Sequence, residues 1–277
     1  MLRVGVSSCL LGRPVRYDGD HKYNDVVAEG LGADVEFVAV CPEVELGLGT
    51  PRETLHLVRH GRDLRTIMAH GEDHTEGMRA YAHARVEQLA SVNLAGYVLK
   101  AKSPSCGIDD VEVHAPGTLP RQGSGVRRNG QGLFTTALIA RFPLLPVEDE
   151  VRLADPTMRN HFVERIHAFD RLRALFAPRW TMSAVVRFHT AHKIQLMAHS
   201  PEAYRALGRL VARGAQMPRA DFRATYESAF MKAIAVRATN RTHANALMHL
   251  IGHFRGKLDR ATRATIAESI ADYRRGL

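Results

Sequence analysis

The chain has 277 residues, 45% of them hydrophobic and 24% charged. These are ordinary proportions for a soluble globular protein, and no apolar run approaches the ~20 residues that a membrane helix needs. The net charge of +9 is unevenly divided, with 16 basic and 20 acidic residues over 1–150 (−4) but 22 and 9 over 151–277 (+13).

Such asymmetry fits a polyanion-binding half joined to a half of different character, or else a solvated basic surface. Three cysteines are an odd number and too few for a disulfide scaffold. The N-terminus enters a strand directly, with no basic and apolar leader, which points to the cytoplasm.

Residues 2–8 read as a buried strand leading into Cys9, and a Gly- and Pro-punctuated loop follows. Residues 24–31 suit a short helix with Asn24 or Asp25 near its N-cap. A second strand, 35–40, delivers Cys41, Pro42 and Glu43. Residues 54–59 and 63–68 look like a hairpin around His60-Gly61-Arg62. The helical spacing of Met78, Ala82, Val86 and Leu89 predicts a helix over 73–91. Strand 96–99 then breaks at Pro104 and Gly107, presenting Lys100, Lys102, Ser103, Ser105 and Cys106 just past its carboxyl end. In open α/β sheets that is where ligands bind. Residues 109–132, rich in Gly and Pro, read as one long loop. A short helix over 133–142 and a final strand at Leu144–Val147 close the region, and Glu148-Asp149-Glu150 reads as an acidic stop.

Strands alternating with helices imply βαβ units. The expected fold class is therefore an α/β domain with a mainly parallel sheet over residues 1–147. An all-α domain follows over 151–277, with helices at 156–176, 181–198, 201–213, 219–237, 240–257 and 260–274.

All three cysteines fall at strand ends on one edge of one sheet. Thiolates there can hold an iron–sulfur cluster, leaving one iron without a cysteine ligand. They can equally be unrelated buried thiols or part of a Cys3His zinc site. Gaps of 32 and 65 residues match no compact metal motif.

The stretches Ser7-Ser8-Cys9-Leu10-Leu11-Gly12, Arg16-Tyr17-Asp18-Gly19, Cys41-Pro42-Glu43-Val44, Pro51-Arg52 and Lys102-Ser103-Pro104-Ser105-Cys106-Gly107 together resemble the thiouracil desulfidase family. The resemblance covers about residues 1–147. It implies a [4Fe-4S] cluster on Cys9, Cys41 and Cys106, with one iron not ligated by cysteine and open to the sulfur of a thiolated pyrimidine. It also implies Glu43 as the acidic catalytic residue and Ser103 as its partner, with Glu45 and Ser105 as the neighbouring alternatives. By their residue types alone, Glu43 is equally a loop carboxylate paired with Arg16 or Arg52, and Ser103 a turn-stabilising hydroxyl.

The second half resembles a long-uncharacterised helical domain often fused to the desulfidase domain. The residues that carry this likeness are Phe188-His189, His192-Lys193, Leu196-Met197-Ala198-His199, Tyr204, Leu207-Gly208, Arg241, His243, Asn245 and Gly252. Relatives are expected to continue past Leu277 into an apolar tail. Such fusions imply non-redox desulfuration of 4-thiouridine in tRNA to uridine, with release of sulfide. Free thiouracil as substrate, or a non-catalytic nucleic-acid-binding protein with a structural metal, are the alternatives. His189, His192, Lys193 and His199 are placed within one helix and read as core or surface residues rather than metal ligands. Arg187, Lys193, Arg237 and Arg241 are the candidate phosphate contacts, or else part of a solvated face. Aromatic residues make up 6% of the chain, which gives little sign of base-stacking platforms.

Overall fold

Eight strands run in chain order through the first part of the molecule: β1 (Leu2–Ser7), β2 (Val35–Val40), β3 (Leu55–His60), β4 (Asp63–Met68), β5 (Gly96–Leu99), β6 (Val111–His114), β7 (Arg127–Gly130) and β8 (Val147–Asp149). The structure is a computed structural model that describes residues 1–31, 35–118, 126–254 and 256–277, and statements of absence below concern those residues. The strands form two sheets. One, in the order β2-β1-β5-β8, is parallel throughout; the other, β4-β3-β6-β7, is mixed.

Two short helices, α1 (Asp25–Ala28) and α2 (Pro42–Glu45), and two longer ones, α3 (Thr75–Ala90) and α4 (Leu133–Arg141), lie between strands, and a short α5 (Glu150–Leu153) follows β8. Asn24 caps α1 by accepting the amide of Val27, as the sequence predicts. The first sheet is so apolar that Val4, Val6, Ala95 and Val98 are fully buried; Leu10, Val27, Leu153, Phe162 and Ile166 pack against them. The second sheet buries Leu55, Leu57, Val111 and Val113 with Met78 of α3. At Gly5 a side chain would meet the ring of Tyr97 at 2.1 Å, so only glycine lets β1 and β5 close at that point.

Three expectations for the strand-bearing part need correction. The supposed long loop 109–132 contains β6 and β7, paired antiparallel. The alternation Val111-Glu112-Val113-His114, buried except at Glu112, is a strand signal that the neighbouring glycines and prolines mask. Its residues 119–125 lie outside the described residues. The final strand begins only after Pro146, whose carbonyl accepts the amide of Tyr97. Glu148-Asp149-Glu150 is therefore no stop. Glu148 pairs with Arg165 at 3.0 Å, Asp149 caps α5, and Glu150 pairs with Lys100.

Contacts divide the chain into two units, Met1–His167 and Ala168–Leu277, and the division falls within α6 (Pro156–Leu175). Among the described residues the second unit is helical throughout: the end of α6, then α7 (Met182–Ala191), α8 (Lys193–His199), α9 (Pro201–Arg213), α10 (Arg219–Ala235), α11 (Asn240–Gly252) and α12 (Arg260–Arg275). Phe222, Tyr226, Phe230 and Ile234 recur every fourth residue of α10 and are fully buried. The helix expected over 181–198 is broken at His192. There the ring of His192 stacks on Phe188, with centroids 4.0 Å apart, and its Nδ1 bonds the Phe188 carbonyl at 2.8 Å. His189, His192 and His199 thus sit on two helices, half-buried or buried, with His199 Nδ1 on the Val236 carbonyl and His189 Nδ1 facing the Tyr226 hydroxyl.

Candidate active site

Parallel strands point their carboxyl ends the same way, so whatever follows β1, β2 and β5 gathers on one edge. Cys9 lies in the 3-10 turn after β1, Cys41 caps α2 after β2, and Cys106 lies in the turn after β5. All three, the chain's full cysteine complement, line one cavity of about 380 Å3.

Burial raises each thiol, and Cys9 reaches about 11 despite the opposing charge of Lys100. Each thiolate would also sit in the field of another: Cys41 raises both Cys9 and Cys106. Unaided, these sulfurs stay protonated, and a cation that binds thiolate is what would displace the protons. Hydroxyls of Ser7 and Ser105 face the Cys106 sulfur, the latter at 3.7 Å. Lys100 sets a positive charge nearby, held 2.5 Å from Glu150.

Among the described residues no group of three or more His, Cys, Asp or Glu is drawn together around one point as a single metal ion requires. A four-iron cluster spreads its ligands around a larger body, one iron per cysteine. Three thiols around a cavity, with hydroxyl donors and a lysine to offset negative charge, fit that demand.

In the lining of the same cavity, Arg52 reaches one carboxylate oxygen of Glu43 with two nitrogens, the Nε contact being 3.1 Å. The same guanidinium donates to the carbonyls of Val15 (3.1 Å) and Gly49 (2.8 Å) and is almost fully buried. The other Glu43 oxygen accepts the Ser105 hydroxyl at 2.7 Å. Ser105 in turn lies 3.0 Å from Ser103, whose oxygen accepts the amides of Ser105 and Cys106. Both serines and Glu43 line the cavity. Glu45 is aimed elsewhere: it accepts the Cys41 amide at 3.1 Å and the Tyr81 hydroxyl at 2.8 Å, and pairs with Arg85.

The turn that carries Cys106 is clamped by the start of α4. The amide of Gly132 donates to Gly107, that of Phe134 to Ser105, and the Thr135 hydroxyl to the Cys106 carbonyl. A Cβ at Gly132 would stand 2.3 Å from the Ser105 carbonyl oxygen.

A family model described as 2-thiouracil desulfurase matches residues 4–150. The chain belongs to the 2-thiouracil desulfurase family. A second model, described as a protein of unknown function (DUF1722), matches residues 193–277. Among relatives of this desulfurase, uncharacterized protein YbgA of Escherichia coli (strain K12) is 34% identical over 113 residues, 40% of this chain and 67% of the relative. Uncharacterized protein YbbK of Bacillus subtilis (strain 168) is 34% identical over 108 residues, 37% of this chain and 71% of that protein. A solved structure of the [4Fe-4S]-dependent thiouracil desulfidase TudS (DUF523Vcz) is 32% identical, with a TM-score of 0.42, covering 56% of this chain and 95% of that one.

Sequence reasoning cited Arg52 only as one partner open to Glu43 and overlooked Glu150, which holds both Lys100 and the Ala101 amide. The signal for Glu150 was its place just past β8, on the edge that carries the cysteines. Of the expected phosphate contacts, Arg187 is exposed on α7 and bonded to Ser183, Lys193 is half-buried at the start of α8, and Arg237 is exposed after α10. Arg241 lines a cavity of the second unit with Asn245 and Arg274. No helix is long and apolar enough to cross a membrane.

Proposed function

We propose that the chain removes sulfur from a thiolated uridine, 4-thiouridine in tRNA, giving uridine and sulfide without net redox change. The observation that carries this reading is the convergence of all three cysteines with Glu43 and Ser105 on one cavity. Cys9, Cys41 and Cys106 would hold a [4Fe-4S] cluster, one iron of which lacks a cysteine. When bound, that iron supplies a Lewis acid with affinity for soft sulfur.

The chain's own residues do the rest. Arg52 and Ser105 grip opposite oxygens of Glu43 and fix its carboxylate toward the cavity. So held, Glu43 can take a proton from an attacking water and return it as the thiolate departs. The Ser105 hydroxyl, which donates to that carboxylate, lines the same cavity and can accept a hydrogen bond from a ring N–H. Ser103, named from the family resemblance, supports Ser105 by fixing the turn. The basic second unit supplies affinity for RNA phosphates through residues such as Arg187, Lys193, Arg237 and Arg241.

Anaerobic reconstitution should give a brown protein absorbing near ~400 nm, with roughly four irons per chain. Replacing Cys9, Cys41 or Cys106 by Ala should lose the cluster or leave it labile. Mass spectrometry of tRNA nucleosides after incubation should show 4-thiouridine converted to uridine. Conversion of free thiouracil with no change in tRNA would restrict the activity to the free base, and a colourless zinc protein would remove both readings.

A further inference from the structure

The parallel register places Leu99 of β5 beside Asp149 of β8, so the next residues, Lys100 and Glu150, leave neighbouring strand ends side by side. Glu150 is 8% exposed, and both of its carboxylate oxygens are engaged. One meets the Lys100 ammonium at 2.5 Å, and the other accepts the Ala101 amide at 2.8 Å. The ammonium also donates to the Ala101 carbonyl at 3.0 Å. A lysine free in water samples many rotamers; here a carboxylate and a carbonyl together hold its charge in one place. An ammonium has three donors. Two are accounted for, the third has no acceptor among the described residues, and Lys100 lines the cysteine cavity.

The other cations of that cavity are placed differently. Arg52 is committed to Glu43, Arg16 pairs with Asp18 at 3.2 Å, and Lys22 and Lys102 are exposed, where solvent screens them. Burial dominates the Cys9 thiol, but among the charged groups around it Lys100 acts most strongly and favours thiolate, while Glu150 opposes it more weakly. The backbone works in the same direction. The Lys100 amide donates to the Ser7 hydroxyl oxygen at 2.9 Å, which leaves the Ser7 hydrogen for the Cys106 sulfur. Three thiolates would concentrate negative charge here, and a departing sulfide would add to it.

We propose that Lys100 and Glu150 form a charge couple that sets the electrostatic field at the cysteines. Lys100 supplies the counter-charge for the sulfur ligands, and Glu150 fixes its position and tempers its strength. The proposal rests on the desulfidase reading, with a cluster on Cys9, Cys41 and Cys106. Both residues act through those ligands and are positioning residues with no part in the proton transfer. Reduction adds negative charge to an iron–sulfur cluster, so its reduction potential reports the charge around it. The proposed reaction has no net redox change, and the potential therefore reads the field independently of turnover.

The test uses the full chain, reconstituted anaerobically with iron and sulfide, as wild type, Lys100→Met, Glu150→Gln and the double variant. Every variant keeps the Lys100 amide, so the bond to Ser7 is untouched. The readout is the midpoint potential, followed by visible absorbance during a reductive titration, with iron counted per chain. Lys100→Met should move the potential to more negative values. Glu150→Gln should move it the other way, because the ammonium is then unopposed and the glutamine carbonyl still accepts a bond from it. The double variant should lie between wild type and Lys100→Met, since Lys100 outweighs Glu150 at Cys9. It also removes the carboxylate that Lys100→Met leaves buried without its cation, so a negative shift there is not a folding defect. If Lys100→Met fails to load iron, the other two variants decide by the same signs. Shifts of one sign in both single variants, or a double variant at or above the wild-type potential, overturn the proposal. Loaded proteins with a common potential overturn it while the desulfidase reading stands. Wild type that takes up no cluster removes both.

Discussion

The Ser105 hydroxyl donates to Oε1 of Glu43 at 2.7 Å although 62 positions separate the two residues. That bond joins the turn after β5 to the first turn of α2 and leaves the carboxylate facing the cysteines. Glu43→Gln preserves the shape and removes the base. Turnover should fall by about two orders of magnitude or more, a typical general-base effect, with visible absorbance unchanged. Near-normal turnover would exclude Glu43 from the proton transfer.

The two serines should separate by readout. Ser105→Ala removes the donor to Glu43 and should lower kcat with little change in Tm. Ser103→Ala leaves two backbone amides of the Cys106 turn without their acceptor. It should lower stability by about 1–3 kcal/mol, read from urea unfolding. If Ser103→Ala lowers kcat more than Ser105→Ala while the fold holds, Ser103 takes the chemical role.

Arg52 is a positioning residue. Arg52→Lys keeps a charge, yet a single ammonium cannot span Glu43 and the carbonyls of Val15 and Gly49 at once. The expected result is a kcat reduced roughly tenfold or more with KM nearly constant. A change confined to KM would mean that Arg52 touches substrate instead.

Acid should weaken the second unit. Burial lowers the pKa of His189 and His192, and Arg171 lowers His192 further. Unfolding returns both rings to water, where they bind protons more readily, so the unfolded state takes up more protons. Stability is therefore complete above the ordinary histidine value of about 6.5 and lost as pH falls below it. Tm measured from about pH 8 to about pH 5.5 should drop, and His192→Phe should flatten the slope. An unchanged slope would put the proton uptake elsewhere.

Salt should distinguish the substrates. Residues 1–150 carry a balance of −4 and residues 151–277 one of +13. RNA binding that releases counterions weakens steeply with salt, whereas a neutral base has none to release. Initial rates on thiolated tRNA should fall sharply between ~50 and ~200 mM salt while rates on free thiouracil hold. Parallel behaviour of the two would deny the basic half its part in RNA binding.

Much of this was legible in the sequence because it depended on local signals. Short apolar runs just ahead of Cys9 and Cys41, and one ending at Leu99 before the turn of Cys106, marked strand ends, and the helical spacing of Met78, Ala82, Val86 and Leu89 marked α3. Legibility failed where a long-range contact decided the outcome. Glu148-Asp149-Glu150 read as an acidic stop because two of the cations that hold them, Arg165 and Lys100, lie well away in sequence. Nothing near Glu43 or Glu45 says which faces the cavity; Tyr81 and Arg85 of α3 decide it by holding Glu45. Likewise the break at His192 depends on its own ring bonding back to Phe188, a choice that helical periodicity does not register.

The strand order β2-β1-β5 places Cys41, Cys9 and Cys106 along the sheet edge in a sequence the chain never follows. In a zinc finger the ligands lie a few residues apart, and metal can organise a floppy peptide around itself. Here gaps of 32 and 65 residues must be closed by the sheet before any two thiols become neighbours. On the proposed ligation, iron would enter a fold already formed. Stripping it with a chelator should silence the protein while leaving its circular dichroism intact, and restoring it should call for inorganic parts rather than a second round of folding.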